Sequence, residues 1–149
     1  MKKYKALFLD VDGTTVIHGV DNLPSPRVTQ AVKHAMQAGI IVSLATSRPP
    51  KSVMHIIKHL GLNGYCVLSS GAQIYDPKSK KIIIEKEFPK SAMRHIFAAA
   101  KKYTSALSIY DGEKEFIYDG TNLPKQVLGM YFPKLEPLIL QDITKNLTG

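Results

Sequence analysis

Phe8-Leu9-Asp10-Val11-Asp12-Gly13-Thr14 is the stretch that decides the fold of this 149-residue chain. Tyr4 to Leu9 is a short apolar run that ends in an acidic loop, the pattern of a buried strand. Two carboxylates, two residues apart, then stand at the C-terminal end of that strand. Open parallel sheets bind their ligands at that edge. Strand alternation sends Asp10 and Asp12 to the same side. A turn at Gly13 and Thr14 brings main-chain N–H groups and both carboxylates around one small volume. Such a pair repels unless a cation joins it, and oxygen-only ligands suit Mg²⁺. A carboxylate is also a competent nucleophile toward phosphorus, and its neighbour can carry protons. The plainer account is a polar turn, because Asp and Gly serve turns for backbone reasons alone.

The next two strands weigh against a chance turn. Ser25-Pro26 supplies an N-cap and a first-turn proline for a helix carrying Val28, Ala31, Val32, Ala35 and Ala38, which Gly39 stops. Ile40 to Ala45 reads as a buried strand ending in Thr46-Ser47-Arg48. There a hydroxyl, main-chain N–H groups and a guanidinium fork suit a phosphate. Lys51 to Leu60 reads as a second helix, with Val53, Ile56, Ile57 and Leu60 on one face and Gly61 at its end. Tyr65 to Leu68 is a third strand and runs into Ser69-Ser70-Gly71. The order β-loop-α-β-α-β predicts an α/β fold with a Rossmann-like parallel sheet, three of whose strands end in phosphate-compatible loops.

After Ser70 the pattern changes. Ala72 to Tyr75 and Lys81 to Glu85 flank a turn at Asp76-Pro77-Lys78-Ser79. A helix is expected over Ser91 to Tyr103, and a hairpin over Ala106 to Tyr110 and Glu115 to Tyr118 around Asp111-Gly112. Residues 1–82 therefore read as one α/β unit and 83–149 as the start of an α+β unit with an antiparallel sheet.

Composition excludes other classes. With 44% hydrophobic residues the chain can build a core, so wholesale disorder is excluded. One cysteine, Cys66, excludes an internal disulfide framework and fits a reducing compartment, so the protein is read as cytoplasmic. No apolar run approaches the roughly 18–20 residues of a membrane span. The net charge of +8 suits anionic ligands. Its bases are scattered without a basic, aromatic-interleaved helix, so neither nucleic acid nor membrane is expected as a partner. His55 and His59 lie four apart on one helix without a further ligand and read as surface residues.

Phe8 to Thr14 resembles the first motif of the haloacid dehalogenase superfamily of phosphohydrolases, within it the Cof-like phosphatases with an inserted α/β cap. The resemblance covers roughly residues 4–120. It implies Asp10 as nucleophile and Asp12 as general acid/base. The Asp10 carboxylate and the Asp12 main-chain carbonyl would be Mg²⁺ ligands. Thr46 matches the second-motif hydroxyl that binds the transferring phosphoryl group, with Gly13, Thr14, Ser47 and Arg48 around it. Ser47 replaces the usual glycine, which requires an ordinary backbone angle. Ser70 replaces the Asn of a segment that often reads Asn-Gly-Ala.

The lysine and the late Gly-Asp motif that complete this family's site are not found. The expectation is a core lacking its C-terminal part, followed by the opening of a cap, with an exposed apolar sheet edge that a second copy could cover. The implied activity is Mg²⁺-dependent hydrolysis of small phosphorylated metabolites such as sugar phosphates through an aspartyl-phosphate, weak in this chain by itself. The alternatives are a receiver-like, phospho-accepting signalling domain and a non-catalytic interaction remnant.

Overall fold

The computed structural model describes residues 4–17, 23–103, 106–110, 115–119 and 138–139. The chain forms two compact units, Met1–Glu87 and Phe88–Gly149.

In the first unit, β1 (Ala6–Leu9) pairs in parallel with β2 (Ile41–Leu44), in the register Ala6–Ile41 to Leu9–Leu44. Between them runs α1 (Pro26–Gln37). The Ser25 hydroxyl caps it by accepting the Val28 N–H at 3.3 Å, and Pro26 occupies its first turn. After β2 comes α2 (Pro50–Leu60), closed by Gly61 in the left-handed region at φ 63°. A parallel bridge from Ala45 to Val67 joins β2 to β3 (Cys66–Leu68). Two main-chain bonds flank it: Gly64 N–H to the Val42 carbonyl, 3.1 Å, and Thr46 N–H to the Val67 carbonyl, 3.0 Å. The three strands expected to be parallel are parallel.

β3 continues through a tight turn at Ser69–Gly71 into β4 (Gln73–Asp76), and β4 pairs antiparallel with β5 (Lys81–Glu85). Asp76 organises the β4–β5 turn by accepting the N–H groups of Lys78, at 2.9 Å, and Ser79, at 3.2 Å. The Ser79 side chain above all, with those two N–H groups, holds the Asp76 carboxyl below the usual range.

Among the described residues, one apolar cluster forms the core of the first unit. Val32 of α1 and Val53, Ile56, Ile57 and Leu60 of α2 meet Val42 and Leu44 of β2 and Cys66 and Leu68 of β3. The four α2 positions are those its sequence periodicity assigns to one face. Cys66 is fully buried, and burial pushes its thiol pKa up, so it remains a neutral, unreactive thiol. His55 and His59 are exposed.

One sequence expectation is corrected here. β1 was expected to be buried, yet Ala6, Leu7 and Phe8 are exposed, Phe8 by 57%. Among the described residues β1 pairs with β2 alone, so its apolar side chains lack neighbours beyond that edge.

In the second unit, α3 (Lys90–Lys102) precedes β6 (Ala106–Tyr110). β6 pairs antiparallel with β7 (Glu115–Asp119), which takes β8 (Leu138–Ile139) in parallel. The expected hairpin pairing is present, but its connection at Asp111-Gly112 lies outside the described residues. No helix among the described residues is long and apolar enough to cross a membrane.

Candidate active site

Asp10 follows β1 directly, and its carboxylate is exposed. The Thr15 hydroxyl donates to its main-chain carbonyl at 2.5 Å, tying the following turn back to the strand end. That turn closes on Val11, whose carbonyl accepts the N–H groups of Thr15, at 2.9 Å, and Val16, at 3.0 Å. Gly13 has φ 73°, a left-handed conformation that glycine adopts without strain. Its N–H donates to the Val16 carbonyl at 2.9 Å, and the Thr14 N–H points to Val11 at 3.4 Å. These two N–H groups bond within the turn. The side chain of Thr14 remains at the surface.

The β2–α2 loop brings its residues to the same edge. Thr46 is buried, and its hydroxyl oxygen accepts the Arg48 N–H at 3.2 Å, which leaves the hydroxyl proton to donate elsewhere. Ser47 is exposed and does not have a positive φ, so it sits without strain where the family's glycine is usual. Arg48 reaches across the sheet edge to Asp12. Its Nε donates to Oδ2 at 2.9 Å and its Nη2 to Oδ1 at 2.6 Å, a bidentate fork on one carboxylate. Its Nη1 also donates to the Ser52 carbonyl at 3.3 Å. The pair is half-buried, with side-chain exposures of 24% for Arg48 and 30% for Asp12. The guanidinium thus orients Asp12.

The third loop clamps the second. Ser69 N–H donates to the Arg48 carbonyl at 3.0 Å and Ser70 N–H to the Thr46 carbonyl at 3.2 Å. Both serines have positive φ, 52° and 54°. A non-glycine residue held there stores roughly 1–3 kcal/mol. Asn tolerates that region better than Ser. Ser70 is exposed, so Ser70→Asn is expected to stabilise the chain by about 0.5 kcal/mol, raising Tm by about 2–4 °C. Thermal unfolding followed by circular dichroism checks this, and a lowered Tm would contradict the strain argument.

Sequence reasoning missed Thr15, Gln73 and Glu85. The Gln73 amide lies between the Ser69 hydroxyl, which donates to Oε1 at 2.7 Å, and the Glu85 carboxylate, which accepts from Nε2. A lone glutamine at the head of an apolar strand was the available signal.

A cleft of about 220 Å³, lined by Gly13, Thr14, Thr15, Ile17, Ser25 and Val28, flanks the first turn. A larger one, about 460 Å³, lies over α1 beside Lys33 and His59 and includes neither aspartate. Site chemistry and not cleft size therefore identifies the candidate site.

The donor set fits Mg²⁺ in kind. An exposed carboxylate and a main-chain carbonyl two residues on are hard oxygen ligands, and Mg²⁺ completes its shell with water and substrate oxygens. Among the described residues no group of three or more His, Cys, Asp or Glu side chains comes together. The Asp12 carboxylate is committed to Arg48.

The described first unit is thus a parallel α/β sheet with a paired-aspartate turn at one strand end and a Thr–Arg loop at the next. The chain belongs to the haloacid dehalogenase-like hydrolase family, whose pattern it matches over residues 7–146. It is 35% identical over 77 residues to a Metamycoplasma hominis protein whose name places it among phosphatases, covering 51% of this chain and 27% of that one. It is 27% identical over 79 residues to the HMP-PP phosphatase of Serratia proteamaculans, covering 53% and 28%. A phosphatase of the haloalkanoate enzyme superfamily from Bacteroides thetaiotaomicron superposes with a TM-score of 0.77 at 23% identity, over 96% of this chain and 51% of its own. The chain thus spans about half the length of that structure, and its alignments cover about a quarter of the curated relatives.

Proposed function

We propose that this chain carries the nucleophile and the proton-transfer group of a Mg²⁺-dependent phosphomonoester hydrolase acting on small phosphorylated metabolites such as sugar phosphates. The observation that carries this reading is an exposed Asp10 at the end of β1, two residues before an Asp12 that Arg48 grips with two hydrogen bonds. Residues 1–82 are the first part of the catalytic core in this reading, and 83–149 open a cap. The single cysteine fits the cytoplasm. Membership of a hydrolase family favours hydrolysis over the phospho-accepting alternative.

The steps follow from the residues. Asp10 attacks phosphorus, the ester P–O bond breaks, and the phosphoryl group passes to the Asp10 carboxylate. For Asp12 to give a proton to the leaving oxygen, one arm of the Arg48 fork must open, since both Asp12 oxygens accept from the guanidinium. Asp12 then takes one from the water that releases phosphate and restores Asp10. Thr46 donates its hydroxyl proton to a phosphoryl oxygen, with Thr14 and Ser47 at the rim. Mg²⁺ held by the Asp10 carboxylate and the Asp12 main-chain carbonyl would offset charge on the phosphoryl oxygens. Arg48 orients Asp12 and contributes positive charge near the phosphate.

Phosphate release from a panel of sugar phosphates, with Mg²⁺ or with EDTA, tests the reading. Phosphate release is expected with Mg²⁺. It should vanish in EDTA, and release that persists there would remove the metal from the scheme. The assay is run on species separated by sedimentation, since a second copy covering the β1 edge would bury Leu7 and Phe8. A monomer alone at high concentration removes that part of the reading.

A further inference from the structure

Gln73 is a polar side chain only 4% exposed, at the start of β4, and no step of the proposed reaction uses it. Its amide orientation is determined by its neighbours. The Glu85 carboxylate only accepts, so Nε2 must face it, and Oε1 is left to take the Ser69 hydroxyl at 2.7 Å. Ser69 in turn donates its N–H to the Arg48 carbonyl at 3.0 Å. Arg48 holds both oxygens of Asp12. The contacts run without a gap from Glu85 through Gln73, Ser69 and Arg48 to Asp12. Ser69 has φ 52°, a conformation that persists only where its surroundings hold it.

We propose that Gln73 is a positioning residue for Asp12: by fixing Ser69 it holds the Arg48 main chain, and so keeps the guanidinium in register with the Asp12 carboxylate. The functional meaning rests on the reading of Asp12 as the proton-transfer group. The physical coupling is a property of the fold and is tested separately.

The contact pattern supplies its own rescue. Gln73→Glu sets a carboxylate against Glu85 and repels it. Adding Glu85→Gln restores the arrangement with the amide on the other strand: its NH₂ donates to the new carboxylate, which still accepts the Ser69 hydroxyl. Ser69→Ala removes the hydroxyl without touching the charged pair.

The readout is solvent exchange of the Arg48 Nε–H resonance in the ¹⁵N-labelled 149-residue chain, assigned by its loss in Arg48→Lys. The Ala45 amide, which bonds the Leu9 carbonyl at 2.9 Å in the β1–β2 ladder, is the internal reference. Arg48 Nε–H exchange is expected to rise about tenfold in Gln73→Glu and in Ser69→Ala, and to return close to wild type in the double variant, while Ala45 stays protected. The proposal is overturned if Arg48 exchange is unchanged in both single variants, or if it changes only in step with Ala45, as a general loosening of the fold would produce. A wild-type Arg48 Nε–H that exchanges as fast as a free arginine also overturns it. Phosphate release measured on the same samples reports on the hydrolase reading alone. An Arg48 response in a chain that hydrolyses nothing keeps the coupling and counts against the proposed hydrolysis by this chain.

Discussion

Asp10→Asn is expected to lower phosphate-ester hydrolysis by on the order of 10⁴-fold or more while leaving Tm unchanged. The change is nearly isosteric, but the amide does not form a phosphoryl-enzyme that water can then open. Asp10 is exposed, so the substitution removes no buried interaction. The Thr15 hydroxyl bonds the Asp10 main-chain carbonyl, which the substitution keeps. Loss of rate with the fold intact is the signature of a nucleophile. Release of p-nitrophenol from its phosphate ester, measured beside a thermal melt, checks both halves. Activity within about tenfold of wild type would place the nucleophile elsewhere.

Gly64→Ala is expected to destabilise the first unit by about 3 kcal/mol, lowering Tm by about 12 °C or more. Gly64 is buried between Asn63, whose Oδ1 accepts the Val42 N–H at 2.8 Å, and β3. A Cβ there would stand 2.1 Å from the Ser43 hydroxyl, 2.6 Å from Ile41 Cγ2 and 3.0 Å from the Val42 carbonyl oxygen. The last is main chain of β2, and its carbonyl already accepts the Gly64 N–H at 3.1 Å, so it cannot rotate away. Marginal folds of this size have roughly 5–15 kcal/mol in reserve, so the variant approaches unfolding. Ser43→Ala combined with Gly64→Ala should recover part of the loss, because it relieves the hydroxyl but not the carbonyl. A Tm within about 2 °C of wild type would mean that the two strands can separate without cost.

Both expectations depend on features that differ in how far the sequence reveals them. The Asp10–Asp12 turn, the Ser25 cap, the apolar face of α2 and the Gly61 stop were legible because each depends on residues within one helical turn or one strand end. Local backbone sterics and periodicity act over that range. Family membership was legible for the same reason, since a seven-residue stretch carries the motif.

What lies across the sheet was not legible. Asp12 and Arg48 are separated by 36 positions, and only the parallel β1–β2 register brings the fork onto the carboxylate. The contact of Arg48 with Asp12 was not foreseen from the sequence, which offered its guanidinium only as a fork for a phosphate. The role of Gln73 needs β3, β4 and β5 together, because its partners Ser69 and Glu85 come from the β3–β4 turn and the last residue of β5. The exposure of Leu7 and Phe8 depends on which strands flank β1, a fact about neighbours that no apolar run contains. The sequence by itself determined the elements from β1 to β7, their order and the chemical groups at the strand ends, through short-range sterics and periodicity, but not β8. Tertiary structure alone decided which of those groups touch, because hydrogen bonds and close contacts form between residues that strand pairing, and not chain proximity, brings within 3 Å.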